Sequence, residues 1–411
     1  MLSLGKSGDV KSVGGASYWG MILLAALFPW VAFIAPRAAG LVVPLIALIV
    51  VGETILRRRH LSDLKSSCWQ YIAAILLLCL LSIFWSPDLS IGLERFFKLA
   101  LFLPLGTALV LLIAQGTVAV DSRFYVAVST GVFISVCLLG FHIFADGGVY
   151  ALLNSTEAEK AVLNAANRPA VVLVLCFSAG VVALQKIGRL QLAVPLGLIL
   201  LGVLFFSTSQ TALFGAGVWL LTYSAFALAP MVSHRFLVWG GALFVLTQPA
   251  LVIGFQQFDV ERDVNYGAGS VGARLDIWYA VSHKILESPI YGHGLEAARS
   301  ITDWSVEFVY YHGNSMLHPH NGILQIWLEF GVIGALVAAF CWVWGSRSVL
   351  RLTGEATPAV AALLATSLFV LTVSHGLWQS WWLWSLIGVA ALTTLVVQGK
   401  RPVSEMEGAP T

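Results

Sequence analysis

Two histidines stand where a polar segment meets a long apolar run: Asn314-Ser-Met-Leu-His318-Pro319-His320-Asn321-Gly-Ile-Leu-Gln325-Ile-Trp-Leu-Glu329-Phe-Gly331-Val-Ile-Gly334. Imidazole is the side chain best suited to accept a proton near neutral pH. Pro319 fits a first helical turn, where its missing N–H is not needed, so the spacing predicts a helix opening there with His320 at its mouth. A helix N-terminus disfavours positive charge and biases such an imidazole towards the neutral form that a general base needs. The plainer role is an interfacial histidine that wets the helix end. At about 100° per residue, Gly331 falls about 20° round from His320 and Gly334 about 40°, on the same face. Asn321, Gln325 and Glu329 form a second, polar stripe that should face a bundle interior and not lipid. His318 and His320, two apart, would not share a helix face, which argues against a zinc pair.

Two arginines could hold an anion. Leu275–Glu287 has helical apolar spacing, with Ser270 as a cap and Arg274 in the first turn. Free N–H groups of a helix start plus a bidentate guanidinium make a phosphate cradle; the plainer alternative pairs Arg274 with Asp276 or Glu261. Arg168, followed by Pro169, opens another apolar run and could reach a phosphate at headgroup level, or merely snorkel. Ser207-Thr-Ser-Gln210-Thr211 is a polar knot between apolar runs, expected to close helix ends, with Gln210 able to line a sugar site. Asp259-Val-Glu261-Arg-Asp263 alternates acids in a way that could aim carboxylates at a divalent cation only on a strand.

These residues need elements to position them, and composition says which. The chain has 411 residues, 58% hydrophobic and 11% charged, about half the charge of a soluble domain. That indicates an all-α polytopic membrane protein, a single membrane domain over 1–411, with the five cysteines in apolar runs as core residues rather than a disulfide or metal framework. At about 20 residues per crossing, twelve spans are predicted, near 17–35, 39–56, 68–86, 99–115, 124–145, 168–184, 190–207, 209–229, 236–254, 321–345, 358–374 and 377–397. Loops on one side hold 14 Lys and Arg against 9 on the other. The positive-inside rule then places both termini, including the tail 398–411, in the cytoplasm. A short segment, 146–167, and a large loop, 255–320, fall outside. The first should carry a helix capped by Asn154, while Trp304–Tyr311 in the second could rest at the membrane interface. No P-loop, nucleophile elbow or dinucleotide fingerprint is present, so a cytoplasmic nucleotide is not the expected energy source.

His320-Asn321, nine residues, Gly331, two residues, Gly334 resembles the signature of the bacterial O-antigen ligases and their polymerase relatives, strongest over 270–334. The resemblance implies a membrane glycosyltransferase of the GT-C-type class in the bacterial inner membrane, with a periplasmic active site, no cofactor and no nucleic-acid partner. It implies transfer of O-antigen from undecaprenyl pyrophosphate to lipid A-core among membrane lipids, metal-independent and inverting. His320 takes the place of the base and Arg274 that of a pyrophosphate ligand; Arg168, Asn321, His318 and Gln210 complete the expected site. Related chains often carry Ser-Arg where this one has Ser209-Gln210, and Arg168 is the candidate to replace that charge. Alternatives are an O-antigen polymerase, though 146–167 is short for its second large loop, an oligosaccharyltransferase with protein acceptors, and a flippase, which paired halves with broken helices would favour.

Overall fold

The computed structural model describes residues 15–34, 38–56, 68–116, 118, 120–145, 166–256, 270–304, 306, 308, 311 and 316–398. The predicted helix within 146–167, the acidic Asp259–Asp263 stretch and the tail 399–411 lie outside them. Among the described residues the fold is helical, without strands. The helices are α1 (Ala16–Ile34), α2 (Ala39–Leu56), α3 (Cys68–Ser82), α4 (Leu89–Ala114), α5 (Ser122–Phe144), α6 (Asn167–Lys186), α7 (Ala193–Phe205), α8 (Gln210–Leu228), α9 (Pro230–Gln256), α10 (Ser270–Glu287), α11 (Gly322–Leu352), α12 (Thr357–Val373) and α13 (Ser380–Gln398).

All twelve predicted spans fall on helices. Ten are long and apolar enough to cross a membrane, and the other two match the shorter apolar stretches Ala16–Trp30 and Leu190–Phe205. The remaining helix, α10, belongs to the large loop. All five cysteines are free thiols.

The bundle is organised around α6. It is apolar nearly all round, as a helix surrounded by other helices must be, and 89% of its spanning window is buried. Helices α1, α5, α8, α12 and α13 pack around it. The helix that sits at the centre therefore presents its first residues, Asn167 and Arg168, at the middle of the bundle's mouth.

The second organising feature is a break in α11. Gly331 has φ 60° and ψ −152°, which no helix contains and which only glycine adopts readily. A break orphans carbonyls above it and amides below it. The turn Pro289–Gly294 supplies the partners: His293 and Gly294 donate N–H to the carbonyls of Leu328 (2.7 Å) and Glu329 (2.9 Å), while the carbonyls of Pro289 and Ile290 accept from Val332 (2.8 Å) and Ile333 (3.3 Å). The contact admits no side chain. A Cβ on Gly331 would lie 2.5 Å from the Ile290 backbone, and one on Gly292 2.5 Å from that of Phe330. The expected common face for His320, Gly331 and Gly334 is thus overturned, because the 100° count holds only along an unbroken helix. Gly331→Ala is expected to lower stability by about 3 kcal/mol, read as a falling Tm of the purified protein; an unchanged Tm would contradict this insertion.

Candidate active site

The helix that carries the histidine motif starts later than predicted. Asn321 is its N-cap, its Oδ1 accepting from the amides of Ile323 and Leu324 at 3.0 Å each, and the first helical residue is Gly322. Pro319 and His320 precede the helix because a short acceptor side chain at 321 caps it more effectively than proline opens it. His320 itself adopts φ 54°. That left-handed geometry costs a non-glycine residue roughly 1–2 kcal/mol and turns the chain sharply back at this point.

Non-helical geometry also changes the relation of the two histidines. Their rings meet edge to face with centroids 4.3 Å apart, and the His320 amide donates to His318 Nδ1 at 3.2 Å. The argument that they cannot face each other fails, because it assumed a helix. Among the described residues, no group of three or more His, Cys, Asp or Glu is arranged to hold a metal ion.

His320 is fixed at its other edge by Ser374, whose carbonyl oxygen lies 3.1 Å from Nδ1. A carbonyl only accepts, so the contact puts the proton on Nδ1 and leaves the Nε2 lone pair open. Burial lowers the pKa of this imidazole; the Ser374 contact raises it, and the Arg274 charge lowers it again. Burial likewise pushes His318 down to about 3, helped by His320, Arg299 and Arg168. The pair is therefore neutral at pH 7.

A third histidine, His375, was not singled out from the sequence. It follows Ser374 in the connection between α12 and α13, bonds the Ser374 hydroxyl through Nε2 at 2.9 Å, and stacks edge-on against Trp381 at 4.7 Å. Burial, then the charge of Arg168, holds its pKa well below the usual histidine value. Its signal was topological: the last connection between spans lies on the same predicted side as His320.

The polar stripe does face inward, with Asn321, Gln325 and Glu329 all buried. Its lower part holds the Ser374 connection in place. Gln325 Oε1 accepts from the Leu377 amide at 2.8 Å, and Gln325 Nε2 and Trp378 Nε1 both donate to Glu329, at 2.8 and 2.6 Å. The stripe thus fixes the segment whose carbonyl orients His320.

Helix α10 begins at Ser270, the residue expected to cap it, and Arg274 follows four residues on, at the end of the first turn. No carboxylate pairs with Arg274 among the described residues; Asp276 instead accepts from the Tyr311 amide at 3.0 Å. Burial lowers the Arg274 pKa. Trp278, one turn on, donates Nε1 to the Pro319 carbonyl at 3.1 Å and so locks α10 to the histidine segment. The aromatic residues Trp304, Phe308 and Tyr311 join the core beneath α10, with Ile277, Val281 and Leu324. The amphipathic helix takes its apolar cover from them.

Arg274 and Gln210 line one cavity of about 460 Å³, walled by α8, α10 and α12. Val218, Leu221, Phe369 and Val373 are shared with an adjoining apolar cleft of about 940 Å³ between α8, α9 and α12. The exposed Arg168 lies over the Trp381 ring, 5.2 Å from its centroid. The polar knot closes helix ends as expected. Ser209 caps α8, accepting from the Ala212 amide at 3.4 Å, and the Thr208 hydroxyl donates to Asn167 Oδ1 at 3.0 Å. That last bond ties the start of α8 to the start of α6, and so brings Arg168 to the neighbourhood of Gln210.

Residues 195–339, from α7 into the lower half of α11, match the family model described as O-Antigen ligase. This stretch is similar to the O-antigen ligases. It includes Gln210, Arg274, His318, His320 and Asn321, while Arg168 and His375 flank it. A proposed polysaccharide ligase of Rickettsia conorii is 26% identical over 275 residues, covering 64% of this chain and 65% of its own. Another from Rickettsia felis is 26% identical over 268 residues, 62% and 64% of the two chains. A third, from Rickettsia typhi, is 32% identical over 135 residues, 31% and 33%. The match therefore spans just under two thirds of the length of the first two relatives.

Proposed function

We propose that this protein is a glycosyltransferase that moves an O-antigen polysaccharide from undecaprenyl pyrophosphate to lipid A-core, on the periplasmic face of the bacterial inner membrane. One observation carries the reading: a neutral imidazole, its Nδ1 held by Ser374 and its Nε2 open, feels the charge of Arg274, a guanidinium unpaired among the described residues at the head of an apolar cleft. The cleft suits a polyprenyl tail, and Arg274 suits the pyrophosphate at its end.

The step follows from these roles. A sugar hydroxyl of the acceptor attacks the anomeric carbon of the donor from the face opposite the pyrophosphate and gives its proton to His320 Nε2. The new glycosidic bond forms as the bond to the pyrophosphate oxygen breaks, which inverts the anomeric centre. Undecaprenyl pyrophosphate leaves with its charge held by Arg274, a developing anion met by a positioned cation. Arg168 is the second ligand, taking the place of a charge that Gln210 lacks. Asn321 sets the entry to the helix, and His318 braces the His320 backbone. The donor arrives activated, so no nucleotide is needed.

The test is transfer by the purified full chain, with donor and acceptor lipids supplied, measured against pH. Wild-type protein is expected to form the glycosidic bond. Because the folded pKa of His320 lies below 6.5, its base form persists as pH falls past 6.5, and kcat/KM drops only when pH passes through that lower value. An acid limb at or above 6.5 would count against His320 as the base.

A further inference from the structure

Arg299 belongs to no role described so far. It sits in the short turn Ala297–Arg299 of the external loop, close enough to His318 for its charge to depress that imidazole. Its Nε donates to Glu296 Oε2 at 2.6 Å. Glu296 is 4% exposed, holds φ 61°, and pairs through its other oxygen with Arg95 of α4.

Two guanidiniums thus share one buried carboxylate, and they are not equivalent. Arg95 is 12% exposed and donates Nη1 to the Trp378 carbonyl at 2.5 Å, so its fork is used inside the protein. Arg299 is 32% exposed, and among the described residues its guanidinium makes no hydrogen bond beyond the one to Glu296. Among those residues its two Nη groups remain open. A structural ion pair would already be complete with Arg95 and Glu296 alone. The nearby Glu329 carboxyl is occupied by Gln325 and Trp378, and the exposed Glu94, which also feels the Arg299 charge, is paired with Lys98. What is left is a surplus cation, clamped at one edge, with the other edge free to make a bidentate contact with an oxyanion.

Its position says which substrate it meets. Arg274 approaches the histidine pair from the α8 and α12 flank, beside the apolar cleft, and its charge acts on His320. Arg299 is braced from the α4 flank and acts on His318 more strongly than Arg168 does. Donor pyrophosphate held at Arg274 leaves this second flank for the other lipid.

We propose that Arg299, clamped by Glu296 and Arg95, is an oxyanion subsite for the acceptor, taking a phosphate or carboxylate group of its oligosaccharide. This rests on the ligase reading above. The test is titration of full-length protein in nanodiscs with three probes: undecaprenyl pyrophosphate, phosphorylated lipid A-core, and lipid A-core after enzymatic dephosphorylation. Arg299→Gln is expected to weaken binding of phosphorylated acceptor tenfold or more and to leave donor affinity unchanged, which also shows that the variant is folded. Arg299→Lys, which keeps the charge but loses the fork, should recover only part of that loss. A loss confined to the phosphorylated probe identifies phosphate; an equal loss on both acceptors identifies carboxylate. Acceptor affinity changed by less than tenfold, or a tenfold loss of donor affinity, would overturn the subsite. Failure of the ligase reading is seen separately, as wild-type protein that binds these lipids yet joins no sugars.

Discussion

His320→Asn protein folds, enters the membrane and transfers polysaccharide about a thousandfold more slowly than wild type. Loss of a positioned general base costs roughly 10²–10⁴-fold, and the amide offered in its place accepts no proton at neutral pH. Asparagine is the informative replacement because it tolerates the left-handed backbone that residue 320 adopts, φ 54°. The variant therefore separates chemistry from strain. Its thermal stability should stay close to wild type, and its affinity for undecaprenyl pyrophosphate should change little, because Arg274 remains. Measured by a discontinuous assay on purified protein, a His320→Asn rate within tenfold of wild type would remove the imidazole from the chemical step.

The second large effect is at Arg274. Arg274→Gln keeps a neutral amide donor on a shorter side chain but deletes the charge assigned to the leaving pyrophosphate. Removing one preorganised donor to a developing anion costs about 10²–10³-fold in kcat. The ground-state pyrophosphate is also anionic, so the KM for the donor should rise as well while that for the acceptor stays near wild type. Trp278 continues to hold α10 against the histidine segment through the Pro319 carbonyl, so the site keeps its shape in the variant. Steady-state kinetics with each lipid varied in turn would check this; an effect on acceptor KM alone would place the donor elsewhere.

Much of the architecture was legible because lipid imposes a simple grammar. Each apolar run of span length became a helix, and the polar stripe Asn321, Gln325 and Glu329 turned inward because hydrocarbon offers it no partners. The lock at Gly331 was not legible. A glycine inside a regular pattern carries no mark of a φ of +60°, and the partner turn Pro289–Gly294 is 37 or more residues away in sequence. The same limit misplaced His318 relative to His320: periodicity presumes a helix, whereas Asn321 capped one that began only at Gly322. His375 was passed over because it sits in a short connection with no motif around it. Arg95, Glu296 and Arg299 converge from two separate stretches, and only the folded chain brings them together.

The site is therefore best described as three stretches meeting at one corner. The segment before α11 provides His318 and His320, α10 provides Arg274, and the connection between α12 and α13 provides the Ser374 carbonyl that orients His320. The buried stripe below holds the third stretch to the first through Gln325 and Glu329. Helix positions alone do not explain this convergence; the capped and broken ends of α11 do.

The most direct measurement is a cryo-EM structure of the full chain with undecaprenyl pyrophosphate bound. The account predicts pyrophosphate density within hydrogen-bond reach of the Arg274 guanidinium, the polyprenyl tail descending between α8, α9 and α12, and His320 Nε2 facing the carbon that is attacked. Pyrophosphate bound away from Arg274, or a tail leaving along another face of the bundle, would contradict it.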